Sequence, residues 1–167
     1  MTTRDHPVPF LTLLVFAQLA LSLISGCVAT HRGLVALESG VGGEPAGPRL
    51  ETLDGRSFAL RSTEQMELLR SLGGCTVEVE GPVMARSILV QQWSVLDAGD
   101  GSVPYVGLLR QHGSNMVIDD RGSGMPLVLN DTSAARLGRY VGKVVMISGY
   151  VVGAQLLHVV NFRVLIE

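Results

Sequence analysis

An eight-residue pattern that occurs twice constrains the fold of this chain more than any other sequence feature. Residues 74–81 read GCTVEVEG, and residues 142–149, which lie 68 positions later, read GKVVMISG. A second pair of segments, WSVL at 93–96 and FRVL at 162–165, repeats at an offset of 69. Self-similarity at a nearly fixed spacing is typical of a duplicated structural unit. We therefore predict two copies of one small fold.

The copies are predicted to occupy residues 31–98 and 103–167, joined by a short segment rich in Asp, Gly and Ser. The first copy also carries a Gly- and Pro-rich insertion at 40–48. Each copy is shorter than 70 residues, which is small for a domain that folds alone. We therefore expect the two units to pack against each other.

Each copy is predicted to contain three strands, a short helix and two further strands. Val77 and Val79 in the first copy, and Val145 and Ile147 in the second, occupy alternating positions. Such alternation predicts strands that turn one face toward a core. The predicted strands lie near 33–38, 49–53, 57–60, 76–84 and 88–96 in the first copy, and near 106–111, 115–119, 126–129, 143–152 and 156–166 in the second.

The two helices are predicted near residues 63–72 and 132–140. Ser62, followed by Gln65 three positions later, fits a capping box at the start of the first helix. Asp131 is expected to cap the second helix.

A helix between the third and fourth of five strands is the element order of the OB-fold. Residues 31–167 resemble the small OB-fold domains of bacterial periplasmic proteins and lipoproteins. The resemblance implies a mainly β fold with two tandem OB-like five-stranded barrels, each with one short helix between strands 3 and 4, after an N-terminal signal peptide. Two ferredoxin-like or split-sandwich units are the alternative.

Residues 1–26 have the features of an export signal. Arg4 and the amino terminus supply positive charge, residues 8–24 are uncharged and almost entirely apolar, and Ser25 and Gly26 are small. The apolar run is shorter than the roughly 20 residues that a membrane-spanning helix needs. We therefore predict a signal peptide that is removed.

The last residues of this signal, Ile24-Ser25-Gly26-Cys27, resemble the lipobox of bacterial lipoproteins. The resemblance implies cleavage before Cys27 and acyl chains such as palmitate on that residue, so that the membrane is its partner. Several chains hold a protein far more firmly than one. Because Val28 rather than Asp follows Cys27, analogy with enteric bacteria implies the outer membrane, facing the periplasm. The alternative is an uncleaved membrane helix with an ordinary cysteine.

No combination of residues predicts a catalytic site, a cofactor or a metal. His31, His112 and His158 lie in different predicted elements and lack metal-ligand spacing. Asp119 and Asp120 stand in the segment Asp119-Asp120-Arg121-Gly122, which is typical of a turn. The formal net charge of −2 gives the chain no electrostatic footprint for nucleic acid. We therefore predict neither an enzyme nor a nucleic-acid-binding protein.

One difference between the copies predicts an interface. The outward positions of the repeated strand hold Thr76, Glu78 and Pro82 in the first copy. The same positions in the second copy hold Val144, Met146 and Tyr150. A strand that is apolar on both faces needs a cover besides its own core. The first unit, a second copy of the chain or a partner protein are the candidates.

These observations favour a non-catalytic lipoprotein of the cell envelope, anchored at Cys27, that binds or scaffolds proteins at the periplasmic side. Self-association is included in this prediction. The alternative is a module that binds a glycan or oligosaccharide on an OB-fold face. Exposed aromatic residues on that face would favour the alternative, and aromatic residues make up only 5% of the chain.

Overall fold

The computed structural model describes residues 28–38 and 47–166. The predicted signal peptide, Cys27 and most of the Gly- and Pro-rich insertion lie outside these ranges. Within them, no helix combines the length and the apolar character needed to cross a bilayer.

The first barrel begins immediately after Cys27. Its strands β1, β2 and β3 precede helix α1, and β4, β5 and β6 follow it. β1 pairs with both β2 and β4, β3 pairs with β2 and in parallel with β5, and β4 pairs with β5 and β6. The bounds are β1 Val28–Leu37, β2 Pro48–Thr52, β3 Ser57–Arg61, α1 Met66–Ser71, β4 Thr76–Met84, β5 Ser87–Leu89 and β6 Gln92–Asp97.

The second barrel repeats this arrangement. Strands β7, β8 and β9 precede helix α2 and a 3-10 turn, and β10 and β11 close the barrel in the order β10-β11-β9-β8-β7. The third strand β9 pairs in parallel with the last strand β11, as β3 pairs in parallel with β5 in the first barrel. The bounds are β7 Tyr105–His112, β8 Asn115–Asp120, β9 Pro126–Leu129, α2 Asp131–Leu137, the 3-10 turn Gly138–Tyr140, β10 Val144–Val152 and β11 Leu156–Ile166.

The predicted fold class is confirmed: the chain is mainly β, with two closed five-stranded OB-like barrels and short helices. The alternating residues Val77, Val79, Val145 and Ile147 are all fully buried, as their spacing predicts. The copies differ in their last strand. The prediction of one strand near 88–96 is wrong, because this segment forms two strands that pair with different parts of β4. β5 pairs with the end of β4 and with β3, whereas β6 pairs with the first half of β4.

Glycines stand at the same points of close strand approach in both barrels. A Cβ on Gly81 would lie 2.0 Å from Leu89 O, and a Cβ on its repeat equivalent Gly149 would lie 2.3 Å from His158 O. Near the middle of the first strand of each barrel, Gly33 and Gly107 meet the backbone of the next strand in the same way. The duplication therefore preserves the sites where only glycine fits, which supports a common barrel geometry.

Both predicted helix starts need correction. α1 begins at Met66, and Gln65 is its N-cap, although the Gln65 side chain makes no capping hydrogen bond. The Ser62 hydroxyl accepts from Gln65 N–H (3.1 Å) one turn earlier, so it stabilises the approach to the helix. α2 is capped by Asn130, whose Oδ1 accepts from Ser133 N–H (3.0 Å), and Asp131 is the first helical residue.

Candidate functional site

The outward face of β10 is the feature on which the predicted interface rests, and its first half lies against the first barrel. Met146 is only 4% exposed and belongs to the buried cluster of the first barrel, with Val106 and Leu165. Its Sδ lies 4.0 Å from the Sγ of Cys75, which immediately precedes β4. Val144 is partly buried and packs against the same cluster. The first barrel therefore covers both residues.

Polar contacts from Arg163 on β11 reinforce this junction. Its Nη1 donates to Gly73 O (3.1 Å) and approaches Ser71 O (3.4 Å) just past the end of α1. A cation at the carboxyl end of a helix is favourable because the last carbonyls are unsatisfied and carry partial negative charge. A residue of the second barrel thus caps the helix of the first.

The segment between the barrels is folded into a hydrogen-bonded turn rather than an extended linker. Asp97 Oδ1 accepts from Gly99 N–H (2.7 Å) and Gly101 N–H (3.0 Å). Ser148 on β10 donates to Asp100 Oδ2 (3.2 Å). Hydrogen bonds from Ser102 are the main cause of a lowered pKa at Asp100. The turn therefore binds β10 directly.

Beyond a bulge at Ser148 and Gly149, the outward face of the β10–β11 hairpin has no cover among the described residues. Tyr150 is 56% exposed and Val160 is 65% exposed. Val152 pairs with Leu156 across the hairpin, and both side chains are also exposed. We call these four residues, together with His158, the hairpin patch. It combines several apolar side chains on one continuous surface, which single exposed residues do not do.

The aromatic pair in this patch is fixed in place. Tyr150 lies opposite His158 in the strand register, and the two rings stack with centroids 5.1 Å apart at an interplanar angle of 6°. His158 Nδ1 lies 3.0 Å from Nδ2 of Asn130, the cap of α2. The patch therefore presents a rigid aromatic surface rather than a free side chain.

The structure thus separates the three residues predicted as an interface. Val144 and Met146 lie inside the molecule at the junction of the barrels, and Tyr150 lies on the exposed hairpin patch. Sequence reasoning missed Leu156 and Val160. Their signal was the run of apolar residues in the last strand, which cannot be assigned to one face because the bulge changes the alternation.

A cleft of about 360 Å³ lies between the barrels. Trp93 on β6 and Arg121 after β8 stand on its opposite sides, with the guanidinium carbon 5.3 Å from the centre of the indole ring. Asp120 is buried at its edge and accepts from Val106 N–H (3.1 Å) and from Ser123. Because these contacts occupy its carboxylate, Asp120 acts as the organiser of a turn.

The remaining candidate residues do not converge. Asp119 lies on the other side of β8, where its Oδ2 pairs with Arg110 Nε at 2.7 Å. That surface, built from β7, β8, β9 and the loop before β11, corresponds to the face that OB-folds use for oligosaccharides. It is lined by polar and aliphatic residues with no Phe, Tyr or Trp: Arg110, Gln111, His112, Asn115, Val117, Asp119, Pro126, Val128 and Gln155.

No group of three or more His, Cys, Asp or Glu residues that could hold a metal occurs in the part of the chain that the structure describes. Cys75 is fully buried. Burial raises the pKa of its thiol, although the nearby Arg163 acts in the opposite direction. A buried thiol with a raised pKa is a poor nucleophile.

No protein-family model matches the sequence. Comparison with curated proteins gives no match, and comparison with solved structures gives none either.

Proposed function

We propose that this protein is a non-catalytic lipoprotein of the bacterial cell envelope that binds or scaffolds another protein through the hairpin patch. The lipid anchor would be carried by Cys27, and the periplasmic face of the outer membrane would be its location. The tandem barrels would form one body that presents the patch.

The observation that carries this proposal is the division of the apolar face of β10. The half that contains Val144 and Met146 is buried against the first barrel, so an apolar surface of this type already forms a protein contact within the chain. The other half, at Tyr150 and Val152, is exposed and lies beside the exposed Leu156 and Val160 of β11. Aromatic residues held in a regular strand are often found at the core of protein–protein interfaces.

The anchor is tested by replacing Cys27 with serine. We expect the mature wild-type protein to begin at Cys27 and to carry acyl chains, and the Cys27→Ser variant to lose acyl labelling and to leave the membrane fraction. Intact-mass analysis and fractionation measure both effects. A native protein that retains residues 1–26 and carries no acyl chain would contradict the anchor.

The patch is tested by replacing Val160 with glutamate. A charge there should abolish the protein complexes that cross-linking captures in intact membranes, because burying an unpaired carboxylate in an interface is costly. We expect the stability of the folded protein to change by less than about 0.5 kcal/mol, as for other surface substitutions. Cross-linked species identified by mass spectrometry provide the measurement.

Val141→Glu is the matched control, since Val141 is an exposed valine of the second barrel that lies outside the patch. It should leave the complexes intact. If Val160→Glu and wild type give the same complexes, the patch is not the binding surface. Cross-links between identical chains would identify self-association, and cross-links to another protein would identify a partner.

A further inference from the structure

The start of β1, the β2–β3 loop and the β4–β5 turn lie at one end of the first barrel. β1 begins at Val28, which pairs with Pro82 near the end of β4. The β2–β3 loop at 53–56 and the β4–β5 turn lie at this same end, because β1 and β3 run away from it and β4 runs toward it. Ala59 N–H on β3 donates to Arg86 O in the turn (2.8 Å), which holds the turn against β3.

The tips of these segments are apolar and exposed. Leu53 is 100% exposed at the tip of the β2–β3 loop. Val28, Val83 and Met84 are also exposed. Together these four residues form what we call the β1 end surface. Exposure of several apolar side chains to water is energetically unfavourable, and such groups often mark a surface that contacts a protein or a membrane.

The charges at this end suit an anionic surface. Arg56 pairs with Asp54, and its hydrogen bond, with one from Thr52, lowers the pKa of that carboxyl to about 2. Arg86, at the tip of the turn, is exposed and makes no ion pair with any residue in the described ranges. A guanidinium without a carboxylate partner is well suited to bind a phosphate oxygen.

The short distance between Cys27 and the first strand indicates that this surface faces the membrane. Val28 is already part of the sheet, and it directly follows Cys27 in the sequence. Consecutive Cα atoms are about 3.8 Å apart, whereas the headgroup layer of a bilayer is roughly 5–8 Å thick on each side. A lipid anchor on Cys27 therefore leaves no linker that could hold the barrel away from the headgroups.

We propose that the β1 end surface rests in the headgroup layer of the membrane. Leu53, Val28 and Met84 enter the boundary with the acyl chains, and Arg86 binds lipid phosphate. This inference rests on the proposed anchor at Cys27. It adds an orientation: the second barrel packs near the opposite end of the first, beside Cys75 and the end of α1, so it lies on the side away from the membrane.

The test places a fluorescent probe at each end of the first barrel. Leu53→Trp and Leu37→Trp are made in the full-length protein and purified in lipidated form, with acylation verified by intact mass. Leu37 is an exposed leucine at the other end of β1. Each variant is reconstituted into vesicles of phosphatidylcholine and phosphatidylglycerol with brominated acyl chains, and its fluorescence is compared with that of wild type, in which Trp93 gives the baseline.

We expect the added fluorescence of Leu53→Trp to be shifted to the blue and mostly quenched, and that of Leu37→Trp to remain at its value in unbrominated vesicles. Lipidated protein with no quenching at position 53, or with equal quenching at both positions, overturns the proposed orientation while the anchor stands. Protein without acyl chains on Cys27 overturns the anchor, and the orientation with it. Melting curves equal to wild type establish that both variants are folded.

Discussion

Replacing Met146 with glutamate should lower the free energy of unfolding by about 3 kcal/mol, because it introduces a carboxylate into the buried contact between the barrels. Arg163 lies directly across the strand pair from Met146. A glutamate that paired with it would withdraw the guanidinium from Gly73 O and Ser71 O, so that the helix of the first barrel would lose its cap. For a domain of this size the expected fall in melting temperature is about 10 °C.

Val152→Glu is the matched control for this substitution. Val152 lies on the same face of the same strand, but beyond the bulge and exposed. Its replacement should change stability by less than about 0.5 kcal/mol. If Met146→Glu melted at the wild-type temperature, the barrels would not be packed in solution as the structure shows them.

Replacing Gly107 with alanine should be as damaging as the charge at Met146, although it adds a single methyl group. The new Cβ would lie 2.0 Å from Asp119 O on the next strand, and backbone atoms cannot yield without breaking the β7–β8 pairing. Overpacking of this kind costs about 3 kcal/mol. Thermal or urea unfolding measures the loss.

Gly138→Ala serves as the comparison for Gly107→Ala. Gly138 has helical dihedral angles, and the nearest atom to an added Cβ is Met116 Cε at 3.7 Å. Alanine there should be neutral or should stabilise the protein by up to about 1 kcal/mol, because it restricts the unfolded chain. Equal losses at both positions would argue against the close strand approach at Gly107.

Repetition made most of the fold predictable. One copy of a strand pattern can be interpreted in several ways, but two copies with nearly equal spacing favour an interpretation that fits both. The predicted strand at 76–84 is confirmed at both ends, and so is the predicted strand at 156–166. The equivalent glycines at 81 and 149 mark the same close contact in each barrel.

The sequence did not predict the start of β1, because that depends on a contact between distant residues. Residues 28–32 carry no strong apolar alternation, yet they pair with the second half of β4. The predicted helix starts were also wrong, and for the first helix the cause was again a contact between distant residues. Gln65 was expected to close a capping box, but its side chain accepts instead from Trp93 Nε1 on β6 (2.7 Å).

The candidate site was only partly predictable. Sequence alone indicated that the outward face of β10 needs a cover, but three covers remained open. Met146 and Tyr150 lie on the same face of β10, but the first barrel covers only Met146. How far this cover reaches depends on how the barrels pack, which the apolar pattern of a single strand does not reveal.

The shared cluster also bears on how duplication of the unit shaped the molecule. Val106, Met146 and Leu165 of the second barrel lie in the core of the first, so the first barrel would lose part of its interior if the second were removed. The core of the second barrel consists of its own residues. The two halves should unfold in one cooperative transition, like a single domain. Two units that began as equivalent copies have in this way become unequal, because the first now depends on the second for part of its core, whereas the second keeps a core of its own residues.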